Sequence, residues 1–559
     1  MPPDPDAADP DIVGRIPLTA KTVLEVGCGT GVLAEEYKRR NPACRYFGIE
    51  IDPVSARVAA TRMDSVANVD VELDPLPFGP EMFDCIVYGG VLADLRDPWA
   101  VLRQHAQALS ATGIIVASVL NLDHWSFAER LLRGTWNYED HGLFSRSHLR
   151  WFTLEMTRQA LLGAGLHPTD VTPYIPEPAE AEDFARAMEP ALAALGIDAP
   201  AYIRRAAPLS YVWRASRRPI APIQVLSTML APVGGVSHVR IVEPLRAIST
   251  DPAVTTRIVT EFDEQQLRGA EPRIFVFHRP LLAGDAGLEP VRKLLDAGCV
   301  VVCEFDDNPD YIPVLKRPDI QNFRAVHAIQ TTTEPLAAVL RRENPEVMVF
   351  PNGVSRLEEV RNYADPARMT VFFGGLNRGK DWPPLVPALN AVAAMAGERL
   401  QFHIVNDRGL FEALATPHKR FTPLCDYETY RNLLAGSEIS FMPLADGPFN
   451  RCKSDLKYLE AAACGVTALA STVVYGDTIQ DGRTGVLFRD GRELQQRLLR
   501  LIANPDAAKA IGQAGRSFVA GNRMLAYQVD SRIAWYRSLW ARRKELHEAL
   551  LARVPELAR

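Results

Sequence analysis

The sequence predicts an α/β protein that contains more than one parallel sheet covered by helices. Its 559 residues exceed the length of one compact domain, and about three or four domains are expected. Two stretches alternate apolar, strand-like segments with amphipathic, helix-like segments, which is typical of α/β domains. The first stretch runs from about residue 20 to about residue 170, and the second from about residue 221 to about residue 525.

The composition is that of an ordinary globular protein. Apolar residues make up 47% of the chain and charged residues 23%, and 62 basic against 68 acidic side chains give a net charge of −6. This charge gives no general reason to expect nucleic acid binding. The eight cysteines are scattered without a CxxC pair, which favours reduced thiols in a cytoplasmic protein. No apolar run approaches the roughly 20 residues of a membrane span, and the acidic, Pro-rich start does not resemble a signal peptide.

A glycine-rich loop follows the first strand of the first stretch. The segment LEVGCGTG ends an apolar strand and precedes the helix-like segment GVLAEEYKRR. Gly27, Gly29 and Gly31 permit a sharp turn in which backbone amides approach a ligand at a helix N-terminus. Glu50 ends the next strand, where a carboxylate can accept hydrogen bonds from both hydroxyls of a ribose. Strand, loop, helix, second strand and terminal acid occur in the order that a nucleotide site requires.

These segments resemble the class I S-adenosylmethionine-dependent methyltransferases over about residues 15 to 170. The resemblance implies that S-adenosylmethionine is bound by the glycine loop and by the ribose-binding Glu50. It also implies that Glu25 lies near the amino group of the cofactor and that Asp70, in ANVDVE, meets the adenine edge. No third glycine follows at dinucleotide spacing, which favours S-adenosylmethionine over NAD.

The predicted methyl-accepting side departs from the family pattern. In GGVLADLRDPW, Ala93 and Asp94 stand where relatives commonly carry Glu and His, so a side chain at the pocket mouth is expected to be missing. His124 and His148 lie in a segment rich in Trp and Tyr, and either is a candidate catalytic base for a sugar hydroxyl. The alternative is that these histidines are satisfied within a lid or a subunit contact.

A second glycine loop and an acidic pair mark the first half of the second stretch. Gly234 and Gly235 follow its first strand and precede a predicted helix, so this loop can approach a phosphate or a sugar closely. Asp306 and Asp307 end an apolar strand at an expected cleft edge. Either carboxylate is a candidate acceptor contact or general base, and a capping or turn role is the alternative. A metal-binding DxD site is not expected here.

Charged residues of the second half form the candidate donor site. Arg378 and Lys380 lie in a glycine-rich loop after the strand MTVFFGG, where two cations can neutralise a diphosphate leaving group. Glu460 precedes the small residues AAACG, and packing alone explains a charge there poorly. We expect Glu460 to lie at the start of a helix that a nucleotide ribose can approach closely.

Together these segments resemble the GT-B glycosyltransferases of the glycosyl-transferases-group-1 type, over about residues 222 to 540. The resemblance implies two Rossmann-like halves facing a cleft, a nucleotide-diphosphate sugar as co-substrate and no bound metal. It implies that Glu460 binds the donor ribose and that Arg378 and Lys380 bind its diphosphate. Gly235 is expected to contact the same donor.

Lys453 stands where relatives carry a second glutamate ahead of the ribose-binding one. The segment CKSDLKYLE is similar to the KSD-type branch of bacterial surface-polysaccharide enzymes. Lys453 is therefore a candidate for both the catalytic and the donor site, because it can place positive charge at the donor phosphates or at an acidic sugar. Asp455 is expected to cap or orient the helix start. Whether transfer retains or inverts the anomeric configuration stays open, and a solvated basic face is the alternative for Lys453 and Lys457.

The predicted organisation has six consecutive segments. They are a disordered N-terminus at residues 1–14, a methyltransferase domain with a Rossmann-like fold at 15–174, a helical linker at 175–220, an acceptor-side GT-B half at 221–350, a nucleotide-sugar half at 351–525 and C-terminal helices at 526–559.

The leading hypothesis is a cytoplasmic bifunctional enzyme. It would methylate a sugar hydroxyl and transfer a sugar from a nucleotide donor to a glycan or lipid-linked acceptor. The alternative is a glycosyltransferase whose first domain is a docking or regulatory module. A nucleic-acid methyltransferase fits poorly with the negative net charge. The arginine-rich residues 204–218 allow peripheral contact with an anionic membrane, although such a run is more often a solvated linker.

Overall fold

A computed structural model describes residues 7–230, 235–259, 272–360, 368–376 and 378–558. The chain divides into two compact units. The first comprises Met1–Lys38, Pro42–Ala221 and Ser249–Ala253, and the second comprises Arg39–Asn41, Pro222–Ile248 and Val254–Arg559. Each unit is described by itself.

The first unit is built on one seven-stranded sheet. Its strands are β1 Thr22–Val26, β2 Arg45–Ile49, β3 Ser65–Ala67, β4 Phe83–Tyr88, β5 Leu109–Leu120, β6 His167–Tyr174 and β7 Ser210–Ser216. The spatial order is β3-β2-β1-β4-β5-β7-β6, and every pairing is parallel except those of β7. The order reverses between β1 and β4, so the carboxyl ends of these two strands open a crevice.

The helices of the first unit begin where the sequence supplies a cap. They are α1 Pro10–Val13, α2 Val32–Arg40, α3 Pro53–Ala59, α4 Pro98–Ala106, α5 Trp125–Arg133, α6 Leu154–Gly163, α7 Pro178–Ala194 and α8 Ala199–Ala206. Asp52, Asp97 and Thr153 accept hydrogen bonds from first-turn amides of α3, α4 and α6. Proline in the first turn of α3 and α4 adds a preset φ, which fixes where each helix begins.

Two predicted boundaries of the first unit differ from the structure. The segment predicted to be disordered contains α1, where Ile12 and Val13 are buried; residues 1–6 lie outside the described range. The predicted linker contains β7, which completes the sheet between β5 and β6. Arg214, which sequence analysis placed in a basic surface run, is buried and bonds Asp170 at 2.8 Å. A strand with both faces covered explains this segment better than a membrane-facing run.

The first half of the second unit contains a six-stranded parallel sheet. Its strands are β8 Ile223–Thr228, β9 Val254–Val259, β10 Arg273–His278, β11 Val300–Glu304, β12 Ala328–Thr331 and β13 Val347–Val349. The order is β13-β12-β11-β10-β8-β9. The apolar run of β11 is buried along its whole length, as expected for a strand covered on both faces.

The second half contains another six-stranded parallel sheet. Its strands are β14 Met369–Gly374, β15 Leu400–Val405, β16 Lys419–Thr422, β17 Ile439–Met442, β18 Thr467–Ser471 and β19 Val486–Phe488. The order β16-β15-β14-β17-β18-β19 is the doubly wound order of dinucleotide-binding folds, with its reversal between β14 and β17. The predicted α/β fold with Rossmann-like units is confirmed.

Helices cover both sheets of the second unit. They are α9 Glu243–Ile248, α10 Gly284–Asp296, α11 Glu334–Leu340, α12 Val386–Ala396, α13 Arg408–Ala413, α14 Tyr427–Ala435, α15 Pro448–Arg451, α16 Leu456–Ala463, α17 Gly491–Ala503, α18 Pro505–Asn522, α19 Val529–Ala541 and α20 Arg543–Arg553. The last two return to the first half, where Leu550 and Val554 join its core and the Tyr536 hydroxyl donates to Gln330 at 2.8 Å.

Two further observations concern the chain as a whole. All eight cysteines are free thiols, and seven of them are buried. None of the helices in the described ranges combines the length and apolarity of a membrane span.

Candidate active sites

The glycine loop of the first unit lies at the crevice between β1 and β4. Gly27, Gly29 and Gly31 have φ of 70°, 52° and 81°, a region that glycine enters without steric cost. A Cβ on Gly27 would lie 2.9 Å from the Val91 side chain, and one on Gly31 would lie 3.1 Å from Ala59. The loop therefore requires glycine both for its turn and for its packing.

Two buried glutamates lie beneath this loop. Glu50 accepts hydrogen bonds from the amides of Gly29 at 2.7 Å and Asp52 at 2.9 Å, so its carboxylate is held at the end of β2. Glu25 is also buried, and its Oε2 has no hydrogen-bond partner among the described residues. Burial raises the pKa of Glu25 to about 8, and the nearby Glu50 charge adds to the increase, whereas the nearby Tyr46 hydroxyl opposes it.

The glycine-loop pocket, lined among others by Gly27, Gly29 and Glu50, has a volume of about 700 Å³. Asp70 and His148 also line this pocket. Their roles as a cofactor contact and a candidate base stay predictions. Gly31 and Glu25 belong to the same region but are not among the residues that line the pocket. The size is within the roughly 300–1,000 Å³ that small-molecule sites usually have.

The structure separates the two candidate histidines. His148 lines the glycine-loop pocket, and its Nδ1 lies 3.3 Å from the Leu143 carbonyl. His124 is buried at the start of α5, where its Nδ1 bonds the Ser126 hydroxyl at 2.7 Å. Burial lowers the pKa of His124 to about 4. His124 therefore belongs to the packing of α5, and His148 is the histidine that faces the pocket.

Asp94 is a pocket residue that sequence analysis named as a departure from the family pattern but did not propose for the site. It is exposed and lines the glycine-loop pocket, directly after the turn that follows β4. Ala93 beside it is buried, and its carbonyl accepts the amides of Leu149 and Arg150. The expected vacancy at the pocket mouth is thus filled by a carboxylate one residue later, and the position after a central strand was the available signal.

The inter-half cleft of the second unit has a volume of about 560 Å³. Lys453 and Asp455 line it from the second half, and Thr332 and Thr333 line it from the first half. The Lys453 ammonium forms an ion pair with Asp307 and lies 4.6 Å from the centre of the Phe449 ring. Lys453 thus lines the cleft and contacts a carboxylate of the opposite half, while its catalytic and donor-binding roles stay predictions.

The two predicted acids at the end of β11 share one guanidinium. Arg279 Nε donates to Asp306 at 2.6 Å, and Arg279 Nη2 donates to Asp307 at 2.9 Å. Burial alone would raise the pKa of Asp307, but the charges of Lys453 and Arg279 outweigh it and hold that pKa below its ordinary value. Arg279 has a φ of 47° and was missed by sequence analysis, although it directly follows β10.

A buried ion pair lies beneath these acids. Arg240 binds both carboxylate oxygens of Glu304, at 2.8 and 3.1 Å, and donates to Asn352 at 2.7 Å. Asn352 donates in turn to the Ser454 hydroxyl at 2.7 Å. This chain of hydrogen bonds joins the first half to the residue after Lys453.

Of the two roles expected for Asp455, capping or orienting the helix start, the structure does not show the capping bond. Asp455 occupies the N-cap position of α16, yet its side chain accepts no amide of that helix. Instead it accepts two hydrogen bonds from Arg523, at 2.6 and 2.8 Å, and one from the Thr478 hydroxyl at 2.8 Å. Asp455 therefore fastens the start of α16 to neighbouring segments of the second half.

Glu460 lies in the second turn of α16 rather than at its start. The side chain is only 6% exposed. Its Oε1 accepts from the Tyr427 hydroxyl at 3.0 Å, and its Oε2 lies 3.4 Å from the Tyr430 hydroxyl and 3.3 Å from the Lys457 ammonium. Both oxygens of the Glu460 carboxylate thus accept hydrogen bonds from protein groups.

The tyrosine pocket lies beside Glu460 and is lined by Tyr427, Tyr430, Lys457, Gly235 and the Gly374–Leu376 loop, among others. Its volume is about 60 Å³. Gly235 lies against Tyr427, because an added Cβ would be 2.7 Å from that ring. Gly234 lies outside the described residues.

The predicted diphosphate cations occupy different environments. Arg378 packs its stem over Gly375, and its guanidinium lies 3.3 Å from Asp381 and 3.5 Å from Asn450. Arg378 thus contacts Gly375, which lines the tyrosine pocket, and Asn450, whose neighbour Arg451 lines the inter-half cleft. Lys380 is exposed. Within the described ranges, no group of three or more His, Cys, Asp or Glu is arranged to hold a metal ion.

Family models match both units of the chain. Residues 24–115 match the model described as a methyltransferase domain, and residues 387–531 match the one described as glycosyl transferase-like. The first match contains the glycine loop and Glu50. The second contains Lys453 and Glu460.

Among curated proteins, the chain is similar to ubiquinone biosynthesis O-methyltransferases. That of Neisseria meningitidis serogroup A / serotype 4A is 30% identical over 122 residues, which are 21% of this chain and 51% of the relative. That of Xanthomonas campestris pv. campestris strain B100 is 30% identical over 144 residues, which are 23% of this chain and 59% of the relative. The chain spans about half the length of these relatives.

Solved structures resemble part of the chain at low identity. Anabaena Alr3699/HepE, solved with UDP and glucose, has a TM-score of 0.40 and 12% identity over 56% of this chain and 99% of its own. The S. aureus protein TarM has a TM-score of 0.38 and 11% identity over 47% of this chain and 54% of its own. The fold assignment rests on the strand orders described above. Residues 24–115 are therefore similar to methyltransferase domains, and residues 387–531 to glycosyl transferase-like domains, in that order along the chain.

Proposed function

We propose that the chain is a bifunctional glycan-modifying enzyme. One activity transfers a sugar from a nucleotide-diphosphate sugar to a glycan or lipid-linked acceptor, and the other O-methylates a sugar with S-adenosylmethionine. The observation that carries the proposal is the presence of two separate cavities, each at the carboxyl edge of a doubly wound sheet and each lined by charged groups suited to a nucleotide ligand.

The residues of the glycine-loop pocket fit S-adenosylmethionine. The unpartnered Oε2 of Glu25 is suited to the cationic amino group, and Glu50 is suited to the ribose hydroxyls. When bound, the cofactor supplies an electrophilic methyl group. Asp94 and His148 line the same pocket, so either can hold the acceptor hydroxyl and take its proton. The position of that hydroxyl determines the rate, because methyl transfer depends mainly on a well-oriented nucleophile.

The second unit offers groups for a nucleotide-diphosphate sugar. The tyrosine pocket supplies apolar and aromatic walls for a nucleoside, and the inter-half cleft supplies room for a sugar and its acceptor. Arg378 contacts Gly375 and Asn450 near these two cavities, where a guanidinium can stabilise negative charge on a leaving diphosphate. Asp307 pairs with Lys453 of the cleft and shares Arg279 with Asp306, so either carboxylate is a candidate to receive the acceptor proton.

A shared substrate accounts for the fusion. If both activities act on one growing saccharide, tethering raises the effective concentration of each product at the other site. The synthesis of a bacterial surface polysaccharide or glycoconjugate in the cytoplasm is a setting of this kind, and the KSD-type segment around Lys453 favours it. A lipid-linked acceptor would bring the chain to a membrane surface.

Calorimetric titration of the full chain tests the proposal. We expect S-adenosylmethionine and one nucleotide sugar from a panel of UDP-, GDP- and dTDP-linked sugars to bind at separate sites with one-to-one stoichiometry each. Glu50→Ala should abolish the first binding event and leave the second unchanged. The proposal is wrong if the wild-type chain binds neither class of ligand.

A second candidate function keeps only the glycosyltransferase active. Ala93, where relatives carry an acid, is buried and engaged by two backbone amides, so this position contributes no side chain to the pocket. S-adenosylmethionine would then stabilise a docking or regulatory domain. Affinity for the cofactor without S-adenosylhomocysteine release on any glycan acceptor would favour this alternative.

A further inference from the structure

We propose that Tyr427 is a ligand-displaced gate, which competes with the donor nucleoside for the Glu460 carboxylate. The inference rests on the proposed glycosyl transfer and adds a determinant of donor affinity to that site. It stands on the hydrogen bonds of Glu460, on the position of the Tyr427 ring and on the size of the tyrosine pocket.

The present partners of Glu460 occupy three of the roughly four acceptor positions of its carboxylate, which leaves little capacity for a ribose hydroxyl. Tyr427 holds Oε1 at 3.0 Å, and Oε2 is shared by Tyr430 and Lys457. The 6% exposure of the side chain leaves little surface for a ligand. A ribose hydroxyl that replaces the Tyr427 hydroxyl forms one hydrogen bond for the one it breaks, so the exchange is close to neutral in free energy.

The Tyr427 ring is placed to move as a unit. It lies between the two halves, stacked on His238 with a centroid distance of 5.2 Å and an interplanar angle of 20°. On its other side it is parallel to Tyr430, at 6.3 Å and 10°. Gly235 makes room for it, since any Cβ there would overlap the ring. A planar base could take the place of the phenol ring in this stack of aromatic groups.

The tyrosine pocket, in the conformation of this structure, is too small for a nucleoside. Its volume of about 60 Å³ compares with roughly 300–1,000 Å³ for typical small-molecule sites. Among the described residues that line the pocket, Tyr427 contacts both halves: its ring stacks on His238, and its hydroxyl bonds Glu460. Movement of this single ring would both enlarge the pocket and free Glu460 Oε1.

Lys457 and Tyr430 hold the Glu460 carboxylate in place when the gate opens. The Lys457 ammonium lies 2.7 Å from the Tyr430 hydroxyl and 4.2 Å from the centre of the same ring. Burial raises the pKa of Tyr427 and Tyr430 well above 10, so both remain hydroxyl donors at neutral pH. The gate therefore does not depend on titration of either tyrosine.

Titration calorimetry of the full chain with UDP, GDP, ADP, CDP and dTDP tests the gate. For the nucleotide that wild type binds, Tyr427→Phe should lower Kd about 2- to 12-fold, the change that corresponds to about 0.5–1.5 kcal/mol for one competing hydrogen bond. His238→Ala removes the ring that stacks on Tyr427 and leaves Glu460 unchanged, so this variant should also lower Kd. It serves as the second variant if Tyr427→Phe proves unstable by circular dichroism.

Tyr430→Phe is the matched control. It removes a hydroxyl from the same carboxylate, but its ring does not contact His238, so binding should stay equal or weaken. Equal tightening by Tyr430→Phe, or no tightening by Tyr427→Phe with wild type binding a nucleotide, overturns the gate alone. If wild type binds none of the five nucleotides, the proposed donor site and the proposed gate are both wrong.

Discussion

Lys453 of the second half forms an ion pair with Asp307 of the first half, and Arg279 binds the same carboxylate from the other side. Two acids and two bases thus meet at the cleft with no net charge. Lys453, which stands where a glutamate was expected, therefore pairs with an acid of the acceptor-side half. It holds the two halves together where sugar transfer is proposed to occur.

The first prediction concerns this pair. Lys453→Met, Asp307→Asn and the double variant form a thermodynamic cycle, and we expect a coupling of about 0.5–3 kcal/mol in kcat/KM for donor turnover, because the groups touch and are mostly buried. Nucleotide release from the donor identified by calorimetry is the readout. Strictly additive effects in the double variant would show that the pair has no functional role.

The second prediction compares two glycines of one loop. Gly29→Ala adds a methyl group with no atom within 4 Å, so it should cost only the roughly 1–2 kcal/mol of a left-handed residue. Gly27→Ala meets Val91 at 2.9 Å and should cost about 1–3 kcal/mol more. Chemical denaturation of both variants measures the difference. Equal losses would mean that the Val91 contact is unimportant.

The third prediction concerns pH. The pKa of Glu25 is about 8 in the folded chain and near 4.5 when unfolded, so the folded state binds the extra proton between these values. The contribution to the free energy of unfolding is fully present below about pH 4.5 and is lost as pH rises through 8. Glu25→Gln keeps the neutral shape and should flatten this decline. Unfolding midpoints at pH 5 and pH 8.5 check it, and parallel profiles for both proteins would contradict it.

The fourth prediction contrasts a buried with an exposed ion pair. Glu304→Gln leaves the buried Arg240 without its counter-charge and should cost about 3–5 kcal/mol in the free energy of unfolding. Asp319→Asn breaks a pair with Arg317 whose side chains are 54% and 39% exposed, and should cost less than about 1 kcal/mol. Urea denaturation of both variants is the measurement, and similar losses would refute the argument from burial.

The fifth prediction separates the two histidines. His148→Gln should lower methyl transfer by roughly 10²–10⁴-fold if His148 is the base, with S-adenosylmethionine affinity unchanged. His124→Gln should alter the stability of the fold rather than the chemistry, because His124 lies outside the pocket. S-adenosylhomocysteine release on saccharide acceptors is the readout. Full activity of His148→Gln would leave Asp94 as the candidate.

Much of the fold could be predicted because its signals are local. The glycine loop with Glu50, and the apolar run that precedes Asp306, lie within short segments whose order along the chain fixes their position in a parallel sheet. The six-part division itself stays a prediction outside the segments described above.

The rest depends on contacts between distant segments. Strand β7 pairs with β5 across about ninety residues, so its arginine-rich sequence resembled a surface run until Asp170 was seen beside Arg214. The charge of Glu460 beside small residues is visible in the sequence, but its partners Tyr427 and Tyr430 lie some thirty residues earlier on another helix. Asp94 differs from the residue type that the family pattern carries, so the pattern alone does not predict a site there.

The return of α19 and α20 to the first half sets an order of events during synthesis. The Tyr536 hydroxyl, Gln330, Glu304 and Arg240 form one buried chain of hydrogen bonds, and its final member reaches the ribosome exit last. The sheet of β8 to β13 is therefore made early but stays without part of its covering until α19 and α20 have been synthesised. The first unit, in contrast, can complete its sheet once β7 has been made.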